Sequence, residues 1–348
     1  MNGKRKQIHK KLPKTVSYTL LGLAFIIILI LILFYPMVFS RSDRAAVIRI
    51  PAYATRQNVS DTLTKYYNDT FASHVLRLSS FVHADLAARH GSYEIPAGAN
   101  PLTVVRRIAR GGQTPVRLTI NNIRNIDTLC VRIASRMEFT PESLREALAD
   151  STNLKPYGLS PQQALALFLD DTYEIYWTAT PGELIKKIGD NYQSFWNDNN
   201  RLKAEALGVS PAGAMILASL AEEETSVNSE KGTIGRLYAN RLKKKMRLQS
   251  DPTVRFALND YTIKRVTRKH LAIDSPYNTY RNFGLPPGPI RTTSRATLNS
   301  ILNSAPHNYL YMCAKEDFSG THRFASTFEE HSHNARMYQK ALNERGIH

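Results

Sequence analysis

Three consecutive carboxylates, Glu222, Glu223 and Glu224, end the apolar run Met215-Ile-Leu-Ala-Ser-Leu-Ala221, and Thr225 follows them. Ser210-Pro211 predicts the start of a helix, a capping hydroxyl before a proline at the first helical position. Ala214 to Ala221 is apolar on every side of that helix, the pattern of a helix buried all round. At about 100° per residue, three successive side chains sweep roughly 200° of the circumference, so the acids cannot share one solvated face. Glu222 continues the face of Met215, Ala218 and Ser219, whereas Glu223 follows Ile216 and Leu220. A carboxyl in an apolar cleft has its charged form disfavoured and stays protonated near neutrality. Cleavage of a glycosidic bond needs such a general acid. The competing reading is a helix end whose acids pair with Lys or Arg.

The elements that must position these acids are legible as patterns. At 348 residues and 43% hydrophobic, the chain can bury a sizeable core in one large domain or two. A strand is expected at Val47–Ile50, then helical spacing at Val59, Leu63 and Tyr66 and at Val75, Leu78 and Phe81. Gly91 to Gly98 reads as a strand and turn. Asn100-Pro101 caps the next helix, and Gly111-Gly112 closes it. Alternation at Val116, Leu118 and Ile120 predicts a strand completing a small β-α-β unit over about residues 46–118. From Asn121 onward the pattern is mainly helical, with capping hydroxyls at Thr140-Pro141 and Thr180-Pro181 and an apolar face of Leu184, Ile188, Tyr192 and Phe195. Ile234, Leu237, Tyr238 and Leu242 mark a helix after the glutamates, and Tyr309 to Ala314 reads as a buried strand. Asn278 to Pro289 is too dense in turn residues to be floppy.

One end of the chain differs from the rest. Val16 to Phe39 carries no charge, and a helix of that length would be about 36 Å long against a hydrocarbon core of about 30 Å. Lys4, Arg5, Lys6, Lys10, Lys11 and Lys14 precede it, so the positive-inside rule puts residues 1–15 in the cytoplasm and the body outside. A cleaved signal peptide is the alternative, but the charge-free span exceeds a usual signal core. Six of the seventeen formal positive charges sit in the tail at residues 1–15, and the Lys and Arg of the still basic body are scattered singly, with Lys243-Lys244-Lys245 their one tight run, at a helix end where cations offset the dipole. No aromatic-interleaved basic motif points to nucleic acid. Cys130 and Cys313 read as buried thiols, though export would permit a disulfide.

Downstream of the acids come Leu248-Gln-Ser-Asp-Pro-Thr-Val254, Tyr277-Asn-Thr-Tyr280, Gly284-Leu-Pro-Pro-Gly-Pro-Ile290, His322-Arg-Phe324, Glu330-His331 and Asn334. With the Glu-x-Glu-Thr of Glu222 to Thr225, this ordered set resembles the endolytic peptidoglycan (murein) transglycosylase family of bacterial inner membranes, MltG or YceG-like. The resemblance covers nearly the whole chain. It implies an α+β fold: a transmembrane helix at 16–39, a small LysM-like domain at 46–118, and a larger mixed α+β YceG-like catalytic domain at 119–348. In that family the first Glu of the motif is the acid, which assigns catalysis to Glu222 and a supporting role to Glu224. The implied reaction needs one carboxyl. Glu222 protonates the oxygen between N-acetylmuramic acid and N-acetylglucosamine, and the muramic C6 hydroxyl closes on C1 to give a 1,6-anhydro end. Ordinary glycosidases need two.

Gln249, Asn278 and Tyr280 suit a sugar, as hydrogen-bonding groups or an aromatic platform. Ser250 keeps the hydroxyl of the threonine usual in the family. Asp251 either supports the site or caps a helix starting at Pro252. Pro286 and Pro287 shape a loop, while His331 and Asn334 belong to the fold or the cleft wall. His322, His331 and His333 fit no zinc spacing, and neither metal nor cofactor is expected. Leu169-Asp170 replaces the Phe-Pro of the family's Phe-Pro-Asp-Thr-Tyr stretch, and Asp171, Thr172 and Tyr173 remain. Partners implied are glycan strands and cell-wall synthases. The alternative function is a non-catalytic glycan-binding scaffold of a synthesis complex. A true hydrolase would differ only in using water as acceptor.

Overall fold

The computed structural model describes residues 14–263 and 265–346, so residues 1–13 of the basic tail lie outside the described residues. The chain is a mixed α+β protein that divides into two compact units, Met1–Pro115 and Val116–His348.

The first unit begins with helix Lys14–Phe39. Within its segment Tyr18–Phe39 an 18-residue stretch has a mean hydropathy of 2.9 and is not buried, so the segment is long and apolar enough to cross a membrane. Strand Ala46–Ile50 then pairs antiparallel with Gly91–Ile95, Ile48 opposite Tyr93. Helices Arg56–Tyr66 and Asp69–Phe81 lie between these strands in sequence, and Pro101–Ala109 follows them. Thr55, Asn68 and Asn100 accept from backbone N–H groups at the three helix starts. Each cap satisfies donors that no intrahelical carbonyl can reach. Ile48, Leu63, Val75, Tyr93, Ile95 and Ile108 close the core of the unit.

The strand expected to complete a β-α-β unit does not do so. Val116–Ile120 pairs antiparallel with Leu169–Ile175, Leu118 opposite Tyr173, and Leu169 and Asp170 pair in parallel with Thr293–Ser294. Its inward side chains Leu118 and Ile120 join the core of the second unit. Alternation identified the strand, but the choice of partner depends on which apolar face is available to cover it.

The second unit is mainly helical. Pro181–Phe195 and Asp198–Leu207 precede Pro211–Glu224, in which every residue from Ala212 to Ala221 is buried. Asn228–Lys243 packs beside that helix, and Arg295–Leu302 packs on both. Close approach is built in by Gly232, where an added Cβ would lie 2.5 Å from the Ser300 carbonyl. Helix Asp251–Leu258 follows, then the turn-rich loop. Tyr311–Ala314 is only half-buried, a correction to the expected buried strand: it forms a two-stranded ribbon with His322–Ala325 against the last helix, Phe328–Glu344. Cys130 is buried and Cys313 half-buried, and both are free thiols.

Candidate active site

The three glutamates leave the helix end toward three different sets of partners. Glu222 accepts from Lys231 Nζ at 2.6 Å and from the hydroxyls of Ser294 and Thr297. Burial pushes its carboxyl up, but Lys231, Thr297 and the charge of Arg291 outweigh burial and hold it below the usual carboxylate range. Glu223 bridges two arginines, Arg124 Nε at 2.9 Å and Arg291 Nη1 at 3.0 Å. Glu224 meets no cation within ion-pair distance among the described residues. Ser250 Oγ and Tyr238 Oη donate to its Oε1, at 2.6 and 2.5 Å.

Glu224 lines a cleft of about 350 Å³ together with Tyr238, Arg241, Gln249, Asp251, Tyr280 and the ribbon residues Met312 to Ala314. Burial pushes its carboxyl up, the hydroxyls of Ser250 and Tyr238 pull it back, and the charge of Asp251 raises it again, so it stays above the ordinary carboxylate value. With both donors on Oε1, Oε2 has no protein partner among the described residues. A carboxyl so placed has its protonated form favoured relative to an exposed one.

Glu222, expected to be the acid, has its oxygens taken by Lys231, Ser294 and Thr297 and is not among the residues that line the cleft. Its pairing ties helix Pro211–Glu224 to helices Asn228–Lys243 and Arg295–Leu302. Asn278, expected to meet a sugar, is engaged within its own loop. Its Nδ2 donates to the Leu271 and Ile273 carbonyls and its Oδ1 accepts from the Tyr280 amide, so it is spent on shaping its own loop. Asp251 is not a cap. Ser250 holds the N-cap position, and Asp251 accepts from Tyr280 Oη at 2.5 Å. Burial, reinforced by Asp251, pushes the Tyr280 phenol up and keeps it a donor. Gln249, Asp251 and Tyr280 line the cleft with Glu224, and Ser250 reaches it by a direct hydrogen bond.

Gln249 sits at φ 52°, a left-handed conformation uncommon outside glycine. It is held there by Arg241, which sequence reasoning missed. Arg241 is buried and donates from Nε to Leu310 O and from Nη1 to Arg247 O, Leu248 O and Gln249 Oε1. Lys231 was missed too. A signal existed: Lys231 lies three residues before Ile234 and Arg241 three after Tyr238, so both cations occupy the apolar face of their helix. His322 also reaches the cleft, its ring nitrogen 2.9 Å from Glu230. Asn334 lines a neighbouring groove, which shares His322 with this cleft. The cleft brings two carboxyls, Glu224 and Asp251, together with amide, phenol and imidazole groups.

A family model described as the YceG-like family matches residues 48–337, most of the chain. The chain belongs to the YceG-like family. An endolytic murein transglycosylase of Bacillus subtilis is 41% identical over 162 residues, 47% of this chain and 43% of that protein. Proteins of the same name from two Streptococcus pneumoniae strains are 32% identical over 124 residues, 34% of this chain and 22% of theirs. The matched stretches thus span less than half the length of these curated relatives. Among solved structures, a yceG-like protein of Listeria monocytogenes superposes with a TM-score of 0.54 at 25% identity, covering 84% of this chain and 99% of that one.

Proposed function

We propose that this protein is an endolytic transglycosylase that cuts the N-acetylmuramic acid–N-acetylglucosamine bond within peptidoglycan strands, with Glu224 as its acid. One observation carries the reading: Glu224 lines the cleft with an Oε2 that has no partner among the described residues, and its surroundings raise its carboxyl. The names of the relatives support the substrate and the reaction.

Glu224 Oε2–H protonates the glycosidic oxygen, the C1–O bond breaks, and positive character develops at C1. Ionised Glu224 is then stabilised by the Ser250 and Tyr238 hydroxyls already aimed at Oε1. It takes the proton of the muramic C6 hydroxyl as that oxygen bonds to C1, giving the 1,6-anhydro end and restoring the acid. Asp251, oriented by Tyr280, supplies negative charge that favours both the protonated acid and the cationic C1. No second carboxylate is needed, because the acceptor is part of the substrate.

The finer features follow the same reading. The apolar helix anchors the protein in the inner membrane with the basic tail in the cytoplasm and the cleft outside, where nascent strands lie. The small unit is a LysM-like module on the strength of its Gly91 to Gly112 stretch, and cell-wall synthases are its expected neighbours.

Mass spectrometry of uncross-linked nascent strands incubated with the full-length protein tests the proposal. Internal fragments with 1,6-anhydro ends, absent with Glu224→Gln, are expected. Reducing ends would make the enzyme a hydrolase, and intact strands with a folded wild type would make it a scaffold.

A further inference from the structure

His331 enters the cleft from helix Phe328–Glu344, one residue beyond the capping box formed by Thr327 and Glu330. Its ring stacks on Tyr311, centroids 5.3 Å apart and planes 20° from parallel. The two ring nitrogens differ. Nδ1 is sealed from solvent and has no hydrogen-bond partner among the described residues. A protonated imidazole must satisfy two N–H groups, and a buried N–H without an acceptor is costly. The proton of the neutral ring therefore belongs on Nε2. Burial pushes His331 below the ordinary histidine range, and the charge of Arg241 acts in the same direction. The edge of the ring carrying Nε2 is the part left to meet the cleft, and no described residue bonds to it.

We infer that His331 is a substrate-binding residue, donating from Nε2–H to a neutral oxygen of the glycan held against Glu224, either an acetamido carbonyl or a hydroxyl. The inference rests on the functional reading above. A neutral acceptor fits better than a carboxylate, because Glu224 and Asp251 line the same cleft while the Arg241 guanidinium is committed to backbone carbonyls. The tyrosine stack holds the ring plane, so the donor is aimed before substrate arrives, which reduces the ordering cost of binding.

Three substitutions separate the donor from the ring. Gln extends its amide nitrogen to about where Nε2 lies, Asn places it near Nδ1, and Phe keeps the stack without a donor. They are made in the full-length Glu224→Gln protein, which should bind strands without cutting them, and affinity for defined uncross-linked glycan fragments is measured. His331→Asn and His331→Phe should each weaken binding about threefold to tenfold, the worth of one neutral hydrogen bond, whereas His331→Gln stays within about twofold of the parent. Parent-like binding by a folded Phe or Asn variant overturns the inference. So does a Gln variant as weak as Phe, since the ring rather than its donor would then matter. No glycan binding by the parent would overturn the functional reading and the inference together.

Discussion

Glu222→Gln and Glu224→Gln each remove one carboxylate, two residues apart on one helix, and should have opposite consequences. The Glu222 and Lys231 side chains are 9% and 10% exposed, so their pair is little screened by solvent. The Glu222→Gln variant would keep an acceptor for Ser294 and Thr297 but leave Lys231 without its counter-charge. Removing one partner of a buried pair costs about 3–5 kcal/mol, and the lower end applies because an amide oxygen remains beside the ammonium. At about 2–3 kcal/mol per molar urea, the unfolding midpoint should fall by roughly 1 M or slightly more. Turnover per folded molecule should fall less than about tenfold. Glu224→Gln keeps the acceptor for Ser250 and Tyr238, removes the proposed proton donor and should lower turnover about 10²- to 10⁴-fold. Its effect on stability has the other sign. Glu224 has a folded pKa raised above the unfolded value of 4.5, so its stabilising contribution is complete below 4.5 and is lost as pH rises through the folded value. Glutamine does not ionise, and the variant should equal or exceed wild-type stability near neutral pH. Urea titrations followed by circular dichroism, beside counts of anhydro-ended fragments, measure both quantities on the same preparations. An inert Glu222→Gln protein with an unchanged midpoint, beside an active Glu224→Gln protein, would refute the reasoning.

The pH profile gives a second check. Because the acid must be protonated, activity should fall on the alkaline side; Ser250→Ala, which removes a donor that lowers Glu224, should move that limb to higher pH, and Asp251→Asn, which removes a charge that raises it, to lower pH. Arg241→Lys offers one nitrogen in place of a fork that serves three backbone carbonyls. Leaving a buried carbonyl unmet costs about 1–3 kcal/mol, so the thermal midpoint should drop by roughly 2–10 °C, as scanning calorimetry would record. Gly232→Ala drives a Cβ to within 2.5 Å of the Ser300 carbonyl. Chemical denaturation should find it less stable by about 1–3 kcal/mol, and unchanged stability would mean that the helix crossing is looser than described.

Much of the local structure was legible because it depends on neighbouring residues alone. The caps at Asn100, Thr140, Thr180 and Ser210 each bind a backbone N–H three residues on, and the helix faces of Leu184, Ile188 and Tyr192 are buried as their spacing requires. The strands at Ala46–Ile50 and Val116–Ile120 also lie where alternation put them. What failed was partnership over long separations. Val116–Ile120 was assigned to the wrong unit because its partner, Leu169–Ile175, lies some fifty residues away, with Leu118 opposite Tyr173. Asn278 has the chemistry of a sugar-binding amide, yet its loop consumes both ends of that amide.

The glutamates divide the same way. Their sequence determined that a buried helix ends in three acids spread over more than half its circumference, since the angle between successive side chains is a property of the helix itself. It did not determine how the helix is rotated within the fold. That rotation is set by packing against Asn228–Lys243 and Arg295–Leu302. Lys231 and Thr297 arrive beside Glu222 from those helices; Tyr238 of the first and Ser250, the cap of helix Asp251–Leu258, arrive beside Glu224. An acid becomes a proton donor or an ion-pair anchor according to the charges and the solvent around it. Those surroundings are assembled from residues 9 to 75 positions away in the chain, so only the tertiary structure could decide which glutamate meets the cleft.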